Sequence, residues 1–172
     1  MSKILITGAV GFIGTNVTIE AIKRGYTVVG FDNLHRPLTD ENLQVLQKTY
    51  KDKFEFIHGD IRNESDFDRI PEVVGAIHLA GQCGIPYAQI NPRYDFEVNV
   101  LGTINLLRAA APHIKKFIFA STGGAMYAKP KKFPAAETEL PSPISPYGFS
   151  KQLAEEAVQF YAKHNNFAYT IL

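Results

Sequence analysis

The sequence lacks most of the features that mark specialised protein classes. It holds one cysteine, Cys83, in 172 residues, so no intramolecular disulfide framework is possible and a reducing compartment is expected. Neither sign of charge prevails, because 18 Lys+Arg stand against 17 Asp+Glu for a formal net charge of +1. Phosphate backbones are gripped by many clustered cations, so a polybasic nucleic-acid binder is not expected. The short group Lys129, Lys131 and Lys132 reads as a solvated loop face. No apolar run approaches the ~20 residues of a membrane span. Met1-Ser2-Lys3 runs straight into Ile4-Leu5-Ile6, without the basic, apolar and cleavage regions of a signal peptide. These absences together lead us to expect a cytoplasmic protein. The histidines at 35, 58, 78, 113 and 164 show no HExxH or other ligand spacing, so no metal site is expected.

What is present is ordinary globular composition, 45% hydrophobic and 20% charged, in a length that suits one well-cored domain. Continuous apolar runs predict strands at Lys3–Thr7, Thr27–Phe31, Phe54–His58, Ala76–Leu79, Phe117–Ser121 and Ala168–Leu172. Runs without alternation suit strands buried on both faces of a parallel sheet. Helical spacing falls between them. It runs from Phe12 to Arg24 with Gly25 as the stop. Phe96, Val100, Ile104 and Leu107 carry it from Arg93 to Ala111, and Leu153, Ala157 and Phe160 carry it from Ser150 to His164. Alternating strands and helices predict a doubly wound α/β sheet. Tyr127 to Pro146 is dense in proline, which predicts an irregular loop rimming an active site.

The first strand leads into Thr7-Gly8-Ala9-Val10-Gly11-Phe12-Ile13-Gly14. Gly8 permits a tight turn, Gly11 lets backbone approach a pyrophosphate, and Gly14 lets helix and strand pack closely. The helix that follows would aim free N–H groups at the phosphates. Asp32 closes the second strand, where a carboxylate accepts both ribose hydroxyls of an adenosine; this favours NAD, with Arg36 keeping NADP as the alternative. Asp60, after the third strand, could sit beside the adenine. Tyr147 and Lys151 are one helical turn apart and share a face. An adjacent ammonium favours the phenolate of a tyrosine whose ordinary pKa is ~10. Thr122, just past the fifth strand, could bond the same substrate hydroxyl. Cys83 reads as a small buried hydrophobe rather than a nucleophile.

The stretches TGAVGFIG (7–14), FDNL (31–34), HGDIRN (58–63), HLAG (78–81), NVLGTINLL (99–107), FAST (119–122) and SPYGFSK (145–151) span essentially the whole chain. On these motifs the sequence resembles the extended short-chain dehydrogenase/reductases, specifically the nucleotide-sugar epimerases of the NAD-dependent epimerase/dehydratase family, which include UDP-galactose 4-epimerase. FDNLHRP followed by ENLQVL is also similar to CDP-tyvelose 2-epimerase-like members, so either a UDP- or a CDP-sugar fits the resemblance. The resemblance implies a Rossmann fold of at least six strands and NAD as cofactor. It implies that Gly8, Gly11, Phe12, Ile13 and Gly14 line the pyrophosphate, with Asp32, Asn33 and Leu34 at the ribose. Asp60 and Ile61 would flank adenine, Leu79, Ala80 and Gly81 would pass under the cofactor, and Asn99 would support the site. Tyr147 would be the base, Lys151 would hold the nicotinamide ribose and lower the tyrosine pKa, and Thr122 would orient the sugar hydroxyl. The family reaction moves a hydride from a sugar carbon to NAD and returns it to the other face.

Three departures from the family pattern stand out. Gly123-Gly124 follow Thr122 where related dehydratases carry an Asp-Glu pair, Ala128 replaces a usual glycine, and Gln82-Cys83 stand where some 4-epimerases carry a lysine. An epimerase or simple dehydrogenase is therefore expected rather than a dehydratase. Family members commonly dimerise through helices corresponding to 93–111 and 147–164. They also continue for well over a hundred residues with most of the sugar-nucleotide pocket. Residues 1–172 then correspond to the NAD-binding domain, without the C-terminal substrate region. A cofactor-binding module with no turnover of its own is the competing expectation.

Overall fold

The computed structural model describes residues 2–127, 132, 134–136 and 138–172. Of the sequence expectations above, those on Ala128, Lys129, Pro130 and Lys131 lie outside the described residues. Six parallel strands form one sheet: β1 (Lys3–Thr7), β2 (Thr27–Asp32), β3 (Phe54–His58), β4 (Gly75–His78), β5 (Lys116–Phe119) and β6 (Ala168–Ile171), in the order β3-β2-β1-β4-β5-β6. The predicted strands are all present, with ends shifted by at most two residues. The chain order reverses beside β1, and such switch points open a crevice at the strands' carboxyl ends.

Side chains along each strand alternate between faces. Ile4, Ile6 and Val28 pack with Val10, Ile22, Leu46 and Phe54 under α1 (Phe12–Lys23) and α2 (Thr39–Thr49). Leu5, Val29, Phe31, Phe117 and Phe119 pack with Leu106, Leu107, Ala154 and Val158 on the other face. Helix α2 is not anticipated by the periodicity, because Leu46 is its only fully buried apolar residue. No helix among the described residues is long and apolar enough to cross a membrane.

Two helical expectations need correction. Residues 93–111 are not one regular helix. The short α3 (Ile85–Ile90) leads into α4 (Pro92–Phe96), then a π turn (Glu97–Leu101), then α5 (Gly102–Ala110). Across the π turn the buried positions keep helical spacing, Asp95, Val98, Asn99, Gly102, Thr103, Leu106 and Leu107, on a face offset from the expected stripe. Of the expected stripe only Leu107 is fully buried, while Phe96, Val100 and Ile104 are half-buried. Beyond β5, the single turn α6 (Gly123–Met126) precedes α7 (Pro146–Asn165). The last helix starts earlier than residue 150 because Ser145 caps it, its side chain accepting from Gly148 N at 3.1 Å. Its buried residues are Tyr147, Ser150, Lys151, Ala154, Val158 and Ala162, while Phe160 of the expected stripe is 58% exposed.

Candidate functional site

The loops after β1, β4 and β5 meet the first turn of α7 at the carboxyl edge of the sheet. After β1 the chain turns through Gly8 at φ 69°, and a Cβ there would lie 2.7 Å from Ala80 N. A Cβ on Gly14 would lie 1.8 Å from Gly8 O. Only glycine lets β1, β4 and α1 touch in this way. Gly11 differs, since a Cβ there would meet only Gly8 O, at 3.4 Å. Helix α1 has no side-chain cap and no acidic residue in its first turn, so its leading N–H groups and positive dipole end are free for an anion. Phe12 and Ile13 beside them are 87% and 60% exposed. This opening fits a pyrophosphate.

Asp32 closes β2, its carboxylate accepting from Leu34 N at 2.9 Å and Val10 N at 3.4 Å. Burial pushes its pKa up, and these backbone bonds work against that rise. The backbone holds the carboxylate in place and leaves lone pairs for ribose hydroxyls. Next to it, Asn33 Nδ2 donates to Asp60 Oδ2 at 3.0 Å, and Arg62 grips Asp60 with Nε at 2.9 Å and Nη2 at 2.7 Å. The Arg62 side chain is the main reason the Asp60 carboxyl is held down to about 2. A cavity of about 570 Å³ lies here, lined by Asn33, His58, Asp60, Arg62 and Asn63 among others. Ile61 does not present its side chain to this cavity as an adenine neighbour would; it is buried in the core and packs against Gly102.

Leu79, Ala80 and Gly81 follow β4 directly, with Leu79 N donating to Thr7 O at 3.1 Å and Ala80 N to Thr7 Oγ1 at 3.3 Å. Asn99 acts from behind this loop. Its Oδ1 accepts from Gln82 N at 2.9 Å and its Nδ2 donates to Gln82 O at 3.0 Å. Cys83 is exposed rather than buried, with Arg36 Nη2 3.4 Å from its sulfur.

The structure joins Tyr147 to Thr122, whose side chains are hydrogen-bonded, while Lys151 one turn on is directed elsewhere. Lys151 is only 6% exposed; its Nζ donates to Ala120 O at 2.6 Å and lies 4.0 Å from the centroid of the Phe119 ring. Burial draws its pKa down to about 8. Burial pushes the Tyr147 phenol up, and hydrogen bonding to the Thr122 side chain pulls the other way without cancelling the rise. The lowering expected from Lys151 is thus not what this structure has, because the ammonium is turned toward the end of β5. Thr122 caps α6, accepting from Ala125 N at 3.4 Å. Beyond it, Gly123 and Gly124 border open space. Among the described residues no cluster of His, Cys, Asp or Glu is placed to hold a metal ion.

The sequence reading missed the buried polar residues behind the site. Asp95 accepts from Ser150 Oγ at 2.5 Å and from Gln82 Nε2 at 2.8 Å. His78 bridges Thr7 Oγ1 at 2.6 Å and Thr103 Oγ1 at 2.9 Å. Ser121 is hydrogen-bonded to Glu155, one turn beyond Lys151. The signal available was a polar residue set among apolar ones, together with the four-residue spacing of Asp95 and Asn99.

The model of the NAD dependent epimerase/dehydratase family matches residues 4–172. A putative UDP-glucose 4-epimerase of Methanocaldococcus jannaschii is 38% identical, over 98% of this chain and 54% of its own length. The CDP-paratose 2-epimerase of Salmonella typhi is 36% identical, over 94% of this chain and 53% of its own. The crystal structure of the Thermus thermophilus UDP-glucose 4-epimerase complex with NAD superposes with a TM-score of 0.84 at 32% identity, covering 98% of this chain and 53% of that one. The chain thus spans about half the length of the relatives it matches. With the family match running from β1 to the last residue, the chain belongs to the NAD-dependent epimerase/dehydratase family.

Proposed function

We propose that residues 1–172 form the NAD-binding Rossmann domain of a nucleotide-sugar epimerase acting at a sugar carbon, as the UDP-glucose 4-epimerases do. The observation that carries this reading is the hydrogen bond between Thr122 and Tyr147 on a helix turn that also holds the buried Lys151, at the sheet edge where the uncapped α1 and its glycine turn lie. Gly8, Gly11, Phe12, Ile13 and Gly14 would hold the pyrophosphate through backbone N–H groups. Asp32, Asn33 and Leu34 would hold the adenosine ribose, with Asp60 and the Ile61 backbone beside the adenine. Leu79 to Gly81 would form the floor, steadied by Asn99. The cofactor, when bound, supplies reversible acceptance of a hydride. Tyr147 takes the proton from the sugar hydroxyl as the hydride leaves, Thr122 orients that hydroxyl, and Lys151 binds the nicotinamide ribose. Tyr147 must first be brought below its present raised pKa, which a Lys151 ammonium turned toward it would do. The open space at Gly123-Gly124 leaves no acid–base pair for expelling water, in keeping with epimerisation rather than dehydration.

The similarity to CDP-paratose 2-epimerase supports a second reading, a CDP-sugar substrate with inversion at another carbon. A cofactor-binding module without turnover is a third reading, resting on the glycine turn and the uncapped α1 alone. A sugar-nucleotide dehydrogenase would use the same residues. A homodimer through 93–111 and 147–164 is also part of the proposal, and so is a cytoplasmic setting, where the exposed Cys83 thiol stays reduced.

The test begins with denaturing the purified protein, assaying released NAD(H), and titrating added NAD. The expected result is bound or titratable NAD, and none at all would overturn the reading. UDP-glucose, UDP-galactose and CDP-sugars are then assayed for epimerised product. Tyr147→Phe should cut turnover by about 10²-fold or more while NAD affinity changes little. NAD binding without any product would leave only the module reading.

A further inference from the structure

We propose that Asp95 is a positioning residue, a buried carboxylate that fixes the first turn of α7, and with it Tyr147 and Lys151, through Ser150. This rests on the reading of Tyr147 and Lys151 given above. Asp95 is fully buried and, among the described residues, takes part in no ion pair. It is held only by hydrogen-bond donors, one from each of three segments. Gln82 Nε2 from the loop after β4 approaches Oδ1 at 2.8 Å, and Asn99 Nδ2 from the π turn approaches it at 3.2 Å. Ser150 Oγ from α7 approaches Oδ2 at 2.5 Å. Ser150 sits between Tyr147 and Lys151 in sequence, its Oγ also 2.9 Å from the Tyr147 carbonyl and 3.1 Å from Asn99 Nδ2.

A buried polar group persists only when its partners are fixed. A carboxylate with three donors in a dry site therefore sets the mutual placement of all three segments. Gln82 carries this constraint onward, since Gly84 N donates to its Oε1 at 2.5 Å and its Nε2 to Gly84 O at 3.0 Å. The cofactor-side loop and the tyrosine helix thus share one anchor. That anchor is placed by the four-residue spacing of Asp95 and Asn99, which puts both on the inward face.

The test reads Lys151 directly. In protein labelled at lysine 13Cε, the pH dependence of the Lys151 signal, assigned by its absence from Lys151→Arg, reports that ammonium alone. The charged or titratable groups around it are Glu155 on its own helix, Asp95 on α4, Cys83 on the loop after β4, and His78 on β4. Ser150→Ala cuts the link and leaves the carboxylate. Water then gains access, and the Lys151 titration should rise from about 8 toward that of an exposed lysine. Asp95→Asn keeps the shape and removes the charge, so the titration should fall. Both variants should keep their far-ultraviolet dichroism and bind NAD at least about fivefold more weakly, a loss in the range of one broken buried hydrogen bond. Should Asp95→Asn fail to fold, Ser150→Ala still decides the matter. A Lys151 titration in Ser150→Ala unchanged from wild type, with NAD affinity within about twofold, would overturn the proposal whatever Asp95→Asn does. Failure of the underlying functional reading looks different: the wild type binds no NAD, yet Lys151 still responds to Ser150.

Discussion

Lys151 shows most clearly what single residues give up for the site. A lysine in water titrates near 10.5, and this one is drawn down to about 8 because its ammonium is buried. Keeping it charged at neutral pH therefore costs about 3 kcal/mol of folding free energy, partly offset by Ala120 O and the Phe119 ring. Lys151→Met should stabilise the folded chain by about 1–3 kcal/mol in denaturant titration. The same substitution should abolish turnover in any form of the enzyme that has it. Between about pH 8 and 10.5 the folded wild type has released a proton that the unfolded chain retains, so its stability rises with pH there. The methionine variant should lack that rise, and a less stable Lys151→Met would refute this account. Gly14→Ala belongs to the same scale. Its Cβ would sit 1.8 Å from Gly8 O, so α1 must move, at a cost of about 1–3 kcal/mol or more. Thermal unfolding and NAD titration should both show the loss.

At the scale of elements, His78 ties β4 to its neighbours, with Thr7 on β1 and Thr103 on α5. Burial, and secondarily Lys151, holds its pKa down to about 3. Above about pH 6.5 the imidazole is neutral in both folded and unfolded chains and contributes no pH dependence. Below that, the unfolded chain takes up a proton that the folded chain refuses until about pH 3, so stability falls by about 1.4 kcal/mol per pH unit. His78→Gln should flatten the fall by one proton's worth in urea titrations across that window, even if its stability at pH 7 is lower. An unchanged slope would mean that His78 is protonated in the fold. This tie also shows what sequence pattern can and cannot carry. Strands buried on both faces announce themselves by apolar runs, so β1 to β6 were legible, as were the glycine turn, Asp32 and the Tyr147–Lys151 spacing. Apolar periodicity assumes a constant 3.6-residue turn and an apolar inward face, so neither the π turn at 97–101 nor the inward polar Asp95 and Asn99 was. Helix α2 has only three apolar residues, Leu43, Val45 and Leu46, too short a stripe to stand out from the polar residues around it. The direction of the Tyr147 shift was also beyond reach, because it depends on where Lys151 points rather than on its distance along the chain.

For the whole molecule, the open question is what meets the outer faces of α4, the π turn, α5 and α7. The residues that periodicity selected, Phe96, Val100 and Ile104 with Leu153, Ala157 and Phe160, do form a stripe, but it is turned partly to solvent. Phe149, 46% exposed, continues it and stacks edge-on against Phe96 with ring centroids 5.8 Å apart. Leu101, on the π turn, is 53% exposed. The inward face of α7 is filled instead by small residues, Ala154, Val158 and Ala162, which lets the helix lie close on the sheet and leaves its larger apolar side chains outside. An exposed apolar stripe of this kind marks an interaction surface. A second copy of the same stripe is the self-complementary partner that two-fold symmetry supplies. The proposed dimer is therefore expected to persist at micromolar concentration in sedimentation velocity. Phe160→Glu should convert it to monomer, because it sets a charge on the apolar stripe of each copy. Phe160 is already exposed, so at a concentration where the wild type is itself monomeric the unfolding midpoint should move by no more than about 0.5 kcal/mol equivalent. Because the tyrosine helix carries Tyr147 and Lys151 on one face and this stripe on the other, loss of the dimer should also weaken NAD binding. A wild-type chain that sediments as a monomer throughout that range would show the stripe to be covered by something other than its own copy.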